Sequence, residues 1–330
     1  MENGKTRKKT IKRGLHNKTR NKKRRGGQAN RIRLDPNSVQ RKKKCHPELE
    51  HSTVNDQSCL TGEEVNAVAH HYNKRNPKHP VTAKGPAEIW QQLHERLQQQ
   101  CKGQERCWLK QLPEGEREKI DNKAFVPKKP PGWKKNPVAW LSNEDIEKVL
   151  QQYQKNPKNH FAFLKPASID FDTRLHGDTC VDNTLCHFQY SEYLKRGIKK
   201  IGIILNTDPH TKGGSHWISL FIDLEDKFMM FFDSTGHKMQ NEVKEFMDRV
   251  KGQALKAGHP LQVYDNHTVE HQQGSTECGM YTLFFIITML KGTTDFHPGK
   301  MTKEQRLDLF LRRFEIPDDY MKRYRDIYFD

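Results

Sequence analysis

The stretch HQQGSTECGMYTLFFIITML, residues 271–290, places a cysteine five residues before an apolar run. That run, LFFIITML (residues 283–290), has the length of a buried helix, and Cys278 stands at the predicted start of the helix. A free cysteine is most often a small buried hydrophobe. At a helix N-terminus it is also a candidate nucleophile, because the helix dipole stabilises the thiolate. Such a role requires a base, an orienting group and an oxyanion donor elsewhere in the chain.

A histidine and an aspartate stand at the outer ends of a predicted β-hairpin. The segment HWISLFIDLEDKFMMFFDSTG, residues 216–236, contains two apolar strands around the turn 224–227. His216 and Asp233 are nearly equidistant from that turn, so we expect their side chains to lie side by side. The carboxylate would then fix the tautomer of the imidazole and stabilise its charged form. Taken alone, the pair is also compatible with a cross-strand contact that has no chemistry.

A side-chain amide precedes the cysteine at a distance that suits an oxyanion donor. Acyl transfer to a thiol needs hydrogen-bond donors for the developing negative charge, from the backbone at the nucleophile and often from a side-chain amide. Gln272 lies six residues before Cys278, and Gly274 between them allows the backbone to fold back. Gln273 is the competing candidate.

Four motifs follow one another in an order and spacing that resemble those of the ubiquitin-like-protein (SUMO) proteases, which share a clan with adenovirus protease: His216-Trp217, Asp233-Ser234, Gln272 and Glu277-Cys278-Gly279-Met280. The segments NTDPHTKGGSHWISLFID, FFDSTG and HQQGSTECGMY are similar to the polyprotein-processing proteases of large DNA viruses. The resemblance extends over about residues 140–290.

The resemblance implies a role for each of these side chains. Cys278 would be the nucleophile, His216 its general base and Asp233 the carboxylate that orients the imidazole. Gln272 and the backbone N–H of Cys278 would form the oxyanion hole. Trp140, in the segment AWLSNEDI, and Trp217 match the tryptophans that hold a Gly-Gly segment of the substrate in this clan. Two indole faces leave room for glycines, where any Cβ atom would clash.

The predicted fold is of the α+β class. Its SUMO-protease/adenovirus-protease-like cysteine protease core is a central mixed sheet flanked by helices, with an N-terminal helical arm in front of it. We divide the chain into a disordered basic tail (1–44), a helical arm domain (45–124), a Pro- and Lys-rich linker (125–137) and the catalytic domain (138–330).

Local signals define several helices within these domains. In the arm, Thr61 and Glu64 form a predicted capping box, and the segment 86–101 has an apolar stripe after a proline in its first turn. In the catalytic domain, Ser142 or Asn143 caps a predicted helix.

The net charge of +17 is concentrated at the N-terminus. Residues 1–44 contain 18 Lys and Arg against two acidic residues, and so hold +16 of that charge. Such a segment repels itself and is predicted to be disordered. It would be a solvated tether, a nuclear-import signal or a non-specific contact to nucleic acid. We expect its removal to leave peptide cleavage unchanged.

The seven cysteines predict a reducing compartment. Their odd number, with no secretory leader, argues against a disulfide framework. Cys101, Cys107 and His94 do not have the spacing of a zinc site, so no metal or other cofactor is predicted. No window has the roughly 18 apolar residues of a membrane span.

These expectations combine into one leading function. A viral cysteine endopeptidase would cleave structural precursor polyproteins after Gly-Gly motifs during virion maturation, in the host cytoplasm (virus factory) and the virion, with the nucleus as a further location through the basic tail. The alternatives are a deSUMOylase or deubiquitinase that acts on isopeptide bonds, and an acetyltransferase on the same scaffold, which Asp233 disfavours because those enzymes tend to carry Glu. Outside the enzymes, the alternative is a basic DNA-binding core protein with an inactive protease fold.

Overall fold

The computed structural model describes residues 31–39, 44–48 and 53–330. The helices of this part of the chain are α1 (Gly62–Arg75), α2 (Pro86–Cys101), α3 (Glu114–Ala124), α4 (Asn143–Gln154), α5 (Asn183–Cys186), α6 (Tyr190–Lys195), α7 (Asn241–Lys256), α8 (Cys278–Lys291), α9 (Lys303–Leu311) and α10 (Asp318–Tyr328). The strands are β1 (Ile32–Arg33), β2 (Phe161–Ser168), β3 (Arg174–His176), β4 (Thr179–Cys180), β5 (Lys200–Asn206), β6 (Trp217–Asp223), β7 (Phe228–Phe232), β8 (Gln262–Asp265) and β9 (Phe314–Glu315). None of these helices is both long enough and apolar enough to cross a lipid bilayer.

A five-stranded mixed sheet is the centre of the catalytic domain, in the order β2-β5-β6-β7-β8. Strand β6 is antiparallel to both neighbours, whereas β2 is parallel to β5 and β8 is parallel to β7. Every residue of β6 and β7 is buried, because helices cover both faces of the sheet. The expected α+β fold with a central mixed sheet is confirmed.

Helix α8 is the most deeply buried helix of this domain and packs against one face of the sheet. Its residues from Cys278 to Leu290 are all buried, in a cluster that also contains side chains of α4, α9 and α10. Helix α7 packs with α5 and α6 on the opposite face. The apolar run that follows the cysteine therefore belongs to a core helix. The first residue of this helix is Cys278, and the helix begins near the start of β6.

The arm has a hydrophobic cluster of its own, built from α1, α2 and neighbouring residues. Thr61 accepts from the backbone N–H of Glu64, whose carboxylate accepts from the N–H of Thr61, so the predicted capping box is confirmed. The apolar stripe of α2 is buried in this cluster. Ser142 caps α4 through the N–H of Asp145.

The prediction that the chain has no disulfide framework is wrong. The structure contains the disulfides Cys45–Cys59, Cys101–Cys107 and Cys180–Cys186, and leaves Cys278 as the free cysteine. Three disulfides and one free thiol also give an odd count of seven. An odd count therefore cannot distinguish this arrangement from seven free thiols. His94, considered above with Cys101 and Cys107, stacks on the indole of Trp90 with ring centroids 5.2 Å apart.

The predicted boundary of the disordered tail is wrong for its last part. Residues 1–30 and 40–43 lie outside the described residues, but residues 31–39 are folded against the catalytic domain. Strand β1 pairs with β9, and Leu34 is buried in the same cluster as α8. Because basic residues are dense in this region, the sequence contains little sign that Leu34 would be buried and would anchor the segment.

The Pro- and Lys-rich segment 125–137 is packed rather than extended through solvent. Phe125, Val126 and Trp133 are buried. The backbone N–H of Lys129 donates to the carbonyl of Asp330, and that of Asp330 donates to the carbonyl of Pro127. This segment therefore pairs with the end of α10 through backbone hydrogen bonds.

Candidate active site

The β6–β7 hairpin brings His216 and Asp233 together. His216 directly precedes β6 and Asp233 directly follows β7, and Nε2 of the imidazole lies 2.7 Å from Oδ1 of the carboxylate. The carboxylate is 1% exposed, whereas the imidazole is 20% exposed. The thiol of Cys278 lies close enough to the same ring to help raise its pKa. Because Nε2 is used by Asp233, Nδ1 is the nitrogen left for the thiol.

The surroundings of this imidazole favour its charged form. Burial by itself lowers the pKa of His216, but the hydrogen bonds and negative charges of Asp233 and Cys278 outweigh burial and raise the pKa to about 9. Burial likewise raises the pKa of Asp233, and here the hydrogen bond and charge of His216 prevail, so that this pKa is lowered. At neutral pH the site therefore contains an imidazolium paired with the Asp233 carboxylate.

The Asp233 carboxylate is fixed by its neighbours as well as by His216. The backbone N–H and the hydroxyl of Thr235 both donate to Oδ1. The side chain of Asn266, which is fully buried, accepts from the N–H of Asp233 and donates to its carbonyl. Oδ2 lies 3.9 Å from Nδ1 of His237 and has no hydrogen-bond partner within the described residues. These contacts leave the orienting carboxylate little freedom to turn away from the imidazole.

Cys278 is the first residue of α8 and is 2% exposed. Gly279 follows it where a Cβ atom would lie only 3.1 Å from Cβ of Leu141 and 3.3 Å from Cδ1 of Trp217. The glycine therefore allows the start of the helix to pack closely under the indole. At this position the thiol lies at the helix N-terminus and near the imidazole, which are the surroundings of a nucleophilic cysteine.

Gln272 is buried beside this site, whereas Gln273 is exposed. Oε1 of Gln272 accepts from the hydroxyl of Ser234 at 2.7 Å, and Nε2 donates to the carbonyl of Gly274 at 2.9 Å. The backbone N–H of Gln272 donates to the carbonyl of Ser234. An amide nitrogen has two hydrogens, so one N–H remains for a substrate oxygen. Of the two candidates, Gln272 has the geometry of a preorganised donor.

A groove of about 470 Å³ lies next to the site, between Trp140 and Trp217. Trp140 is 49% exposed and donates from Nε1 to the carbonyl of Ser275, three residues before the cysteine. Trp217 is buried and donates to the carbonyl of Leu141. Residues of the loop 206–214, which ends in two glycines, also line the groove. Two indoles and this loop therefore bound the groove.

Among the residues that the structure describes, one cluster has the composition of metal ligands, and it lies outside this site. The potential ligand atoms of Cys180, Cys186 and His187 lie within 4.8 Å of one another. The two sulfur atoms form a disulfide, which leaves only the imidazole available for coordination. None of the four catalytic candidates belongs to this cluster.

The thiol, imidazole and carboxylate lie in series where β6 begins and β7 ends, beside a buried amide. This is the catalytic arrangement of a cysteine protease. The family model described as the Ulp1 protease family, C-terminal catalytic domain, matches residues 196–319. A SUMO-1 cysteine protease of African swine fever virus is 31% identical over 198 residues, which cover 57% of this chain and 72% of the viral protein. The chain belongs to the Ulp1 protease family and is a cysteine protease.

Two further comparisons agree with this assignment. A protein of Acanthamoeba polyphaga mimivirus named as a thiol protease is 29% identical over 159 residues, which cover 47% of this chain and 49% of that protein. The crystal structure of the African swine fever virus protease has a TM-score of 0.56 to this chain at 22% identity, and covers 91% of this chain and 97% of its own. The likeness in fold thus covers more of this chain than the sequence matches do.

Sequence reasoning missed three residues that hold the site in place. Asn266 follows β8 and carried no signal, because its partner Asp233 is 33 residues away in the chain. Asp318 accepts from the backbone N–H groups of Gln273 and Gly274 and from the hydroxyl of Tyr281. The third residue, Arg325, contacts the segment before the nucleophile.

Arg325 is a buried cation that joins the segment before Trp140 to the segment before Cys278. Nε donates to the carboxylate of Glu277 at 2.8 Å, and the two side chains are 6% and 1% exposed. The guanidinium also donates to the carbonyls of Ala139 and Thr276 and lies over the ring of Trp133, 4.5 Å from its centroid. One side chain thereby links the segment before Trp140 to the start of the cysteine helix. Its position near the C-terminus gave no sequence signal for this role.

Proposed function

We propose that this protein is a cysteine endopeptidase that cleaves precursor proteins after a Gly-Gly motif through an acyl-enzyme on Cys278. The observation that carries the proposal is the imidazole of His216, which contacts Asp233 through Nε2 and lies near the thiol of Cys278, beside a groove lined by two indoles. Each of these groups has a distinct chemical task.

In the first half of the reaction, the Cys278 thiolate attacks the scissile carbonyl, and an S–C bond forms as negative charge moves to the carbonyl oxygen. The free N–H of Gln272 and the backbone N–H of Cys278 stabilise that charge. His216 has accepted the thiol proton and donates it to the leaving amine as the C–N bond breaks. Asp233 keeps the imidazole in the tautomer that this transfer needs.

In the second half, water releases the acyl group. His216, now neutral, removes a proton from the water molecule as its oxygen attacks the thioester carbonyl. The C–S bond breaks, the thiolate is restored, and the proton on His216 re-forms the resting ion pair. The same oxyanion donors act in both halves, because both pass through a tetrahedral intermediate.

The two indoles that line the groove support glycines before the scissile bond. Residues without a Cβ atom can lie flat between two aromatic faces. Trp217 is anchored by its hydrogen bond to the carbonyl of Leu141, so this wall does not open readily. We propose that Trp140 and Trp217 bind the Gly-Gly segment and that a larger side chain at either position is excluded.

The natural substrates are proposed to be structural precursor polyproteins of a large DNA virus. The matched relatives that support this proposal are viral proteins. Cleavage would then accompany virion maturation, in the virus factory of the host cytoplasm and in the virion. A second candidate is cleavage of a SUMO conjugate, since the African swine fever virus relative is named a SUMO-1 cysteine protease.

The test compares matched peptides and a protein conjugate. The purified full-length chain is incubated with a peptide that contains Gly-Gly, with variants carrying Ala at each glycine, and with a SUMO–lysine conjugate. Mass spectrometry locates the cut. We expect cleavage after the second glycine and loss of turnover with either Ala. Faster turnover of the conjugate than of the peptide would favour the isopeptidase, and turnover of none would favour an inactive fold.

A further inference from the structure

Residues 31–39, which follow the most basic part of the chain, lie against the machinery of the site. We call this segment the strap. The backbone N–H of Ile32 donates to the carbonyl of Arg313, and that of Leu34 donates to the carbonyl of Glu315. Leu34 is 5% exposed and packs in the core cluster that contains α8. The strap is thus held by backbone hydrogen bonds and by a buried side chain, and not only by charge.

The side chain of Arg31 extends from the strap to the loop that carries Gln272. Nη2 donates to the carbonyl of Glu270 at 2.6 Å, and Nη1 donates to the carbonyl of Phe314 at 3.3 Å. We call residues 270–274 the oxyanion loop. One guanidinium therefore joins the first residue of this loop to strand β9, which itself pairs with the strap.

The segment from α9 to α10 holds the remainder of the loop. Nε2 of His271 lies 2.9 Å from the carbonyl of Phe310, and Nδ1 accepts from the N–H of Ile316. Burial lowers the pKa of His271 to about 4, so the ring is neutral and can make both contacts. Asp318 accepts from the N–H groups at the other end of the loop. The oxyanion loop is therefore held by residues 310–318 together with Arg31 of the strap.

We propose that the strap is a positioning element of the active site and that Arg31 holds the oxyanion loop in the conformation that presents Gln272. This inference rests on the proposed role of Gln272 as oxyanion donor. It assigns a function to a segment whose composition resembles a disordered tether. Arg31 does not touch the substrate; it acts through the carbonyl of Glu270.

The test uses point variants of the full-length chain. Arg31→Ala removes both hydrogen bonds, whereas Arg31→Lys keeps the charge but cannot reach both carbonyls with one ammonium group. Arg33→Ala is the matched control, because Arg33 lies on the same strand but its exposed side chain pairs with Glu315 at the surface. Thermal melting checks that each variant is folded.

We expect Arg31→Ala to lower kcat about tenfold, less than the roughly 10²–10³-fold cost of losing an oxyanion donor outright. KM should stay within about twofold, because uniform substrate binding is not affected. Arg31→Lys should recover only part of the loss, and Arg33→Ala should match the wild type. Hydrogen exchange of residues 270–274 should accelerate in Arg31→Ala only.

A double variant separates a positioning role from general stability. If Arg31 acts through Gln272, Arg31→Ala should add nothing to Gln272→Ala, whereas independent effects multiply. Multiplying effects, or unchanged exchange in the loop, would overturn the proposal. If Gln272→Ala keeps full turnover while Arg31→Ala still accelerates loop exchange, the oxyanion role of Gln272 fails and the strap remains a clamp on the loop.

Discussion

Nε2 of His216 lies 2.7 Å from Oδ1 of Asp233, so the thiol of Cys278 must be served by Nδ1. In the proposed mechanism, Nδ1 is therefore the ring nitrogen that exchanges the proton with the substrate. The carboxylate contacts the ring nitrogen that is not used by the thiol. It can therefore stabilise the imidazolium without approaching the scissile bond. Its charge also sets the pH at which the ring loses its proton.

The alkaline limit of activity should follow the titration of His216. Activity needs the ring proton for the leaving amine, so kcat/KM should fall as pH rises through the raised pKa of about 9. Asp233→Asn keeps a hydrogen-bond acceptor but removes the charge that raises this pKa. The alkaline limb should therefore move to lower pH by about one unit or more, with measurable turnover retained. A pH–rate profile with an unmoved limb would contradict the assignment.

Cys278 should be the nucleophile and the residue that reacts fastest with iodoacetamide near neutral pH. The other six cysteines are joined in disulfides, so without reductant they offer no thiol. Cys278→Ala should abolish cleavage, and His216→Ala should slow both labelling and turnover because the thiolate loses its counter-ion. Peptide mapping of the labelled protein identifies the site. Activity that survives Cys278→Ala would refute the mechanism.

Gln272 and Gln273 offer a comparison of adjacent amides. Gln272→Ala should lower kcat by about 10²–10³-fold with little change in KM, because the donor acts on charge that exists only in the transition state. Gln273→Ala should be close to wild type, since only its backbone N–H is used, by Asp318. Steady-state kinetics on one Gly-Gly peptide decide the matter. The reverse order would assign the oxyanion role to Gln273.

Removing Arg325 should destabilise the fold as well as the site. Arg325→Met leaves the Glu277 carboxylate buried without its partner, which typically costs about 3–5 kcal/mol of unfolding free energy. Lys322→Met is the control on the same helix, because Lys322 pairs with Asp319 at the surface, where such pairs contribute less than about 1 kcal/mol. Urea unfolding gives both values. Equal losses would show that burial of the Arg325–Glu277 pair is unimportant.

Truncation experiments should show different effects for the first 30 residues and for the strap. Deleting residues 1–30 should leave peptide cleavage unchanged and weaken DNA binding, because it removes 12 basic residues and the counterions they release. Deleting residues 1–39 should impair cleavage, since Arg31 and Leu34 are lost, and this replaces the expectation that the whole segment 1–44 can be removed without effect. Peptide turnover is measured with and without DNA at low salt. Stimulation by DNA in the full-length chain alone would refute a passive tether.

The sequence predicted the elements whose partners are close in the chain. The hairpin was visible because its turn lies midway between His216 and Asp233, and α8 because its apolar run is continuous. Strand β2 was missed, since Pro166 interrupts its pattern and the pairing register shifts between Leu164 and Ala167.

The supporting contacts could not be predicted, because they join distant parts of the chain. Arg325 meets Glu277 across 48 positions, and Arg31 meets the carbonyl of Glu270 across 239. A backbone carbonyl has no sequence signature, so nothing in the composition distinguishes Arg31 from the basic residues around it. The choice between Gln272 and Gln273 likewise depends on Ser234, which only the fold brings into contact.

The distribution of the cysteines constrains how the enzyme must be handled. Three bridges crosslink the arm and the catalytic domain internally, while the remaining thiol is the group proposed to carry the acyl intermediate. A strong reductant added to protect that thiol would also open the bridges, and an oxidant that closes them would threaten the thiol. The protein can therefore be prepared only in a limited range of reduction potential. The buffer that gives the most active samples and the buffer that gives the most stable samples will differ.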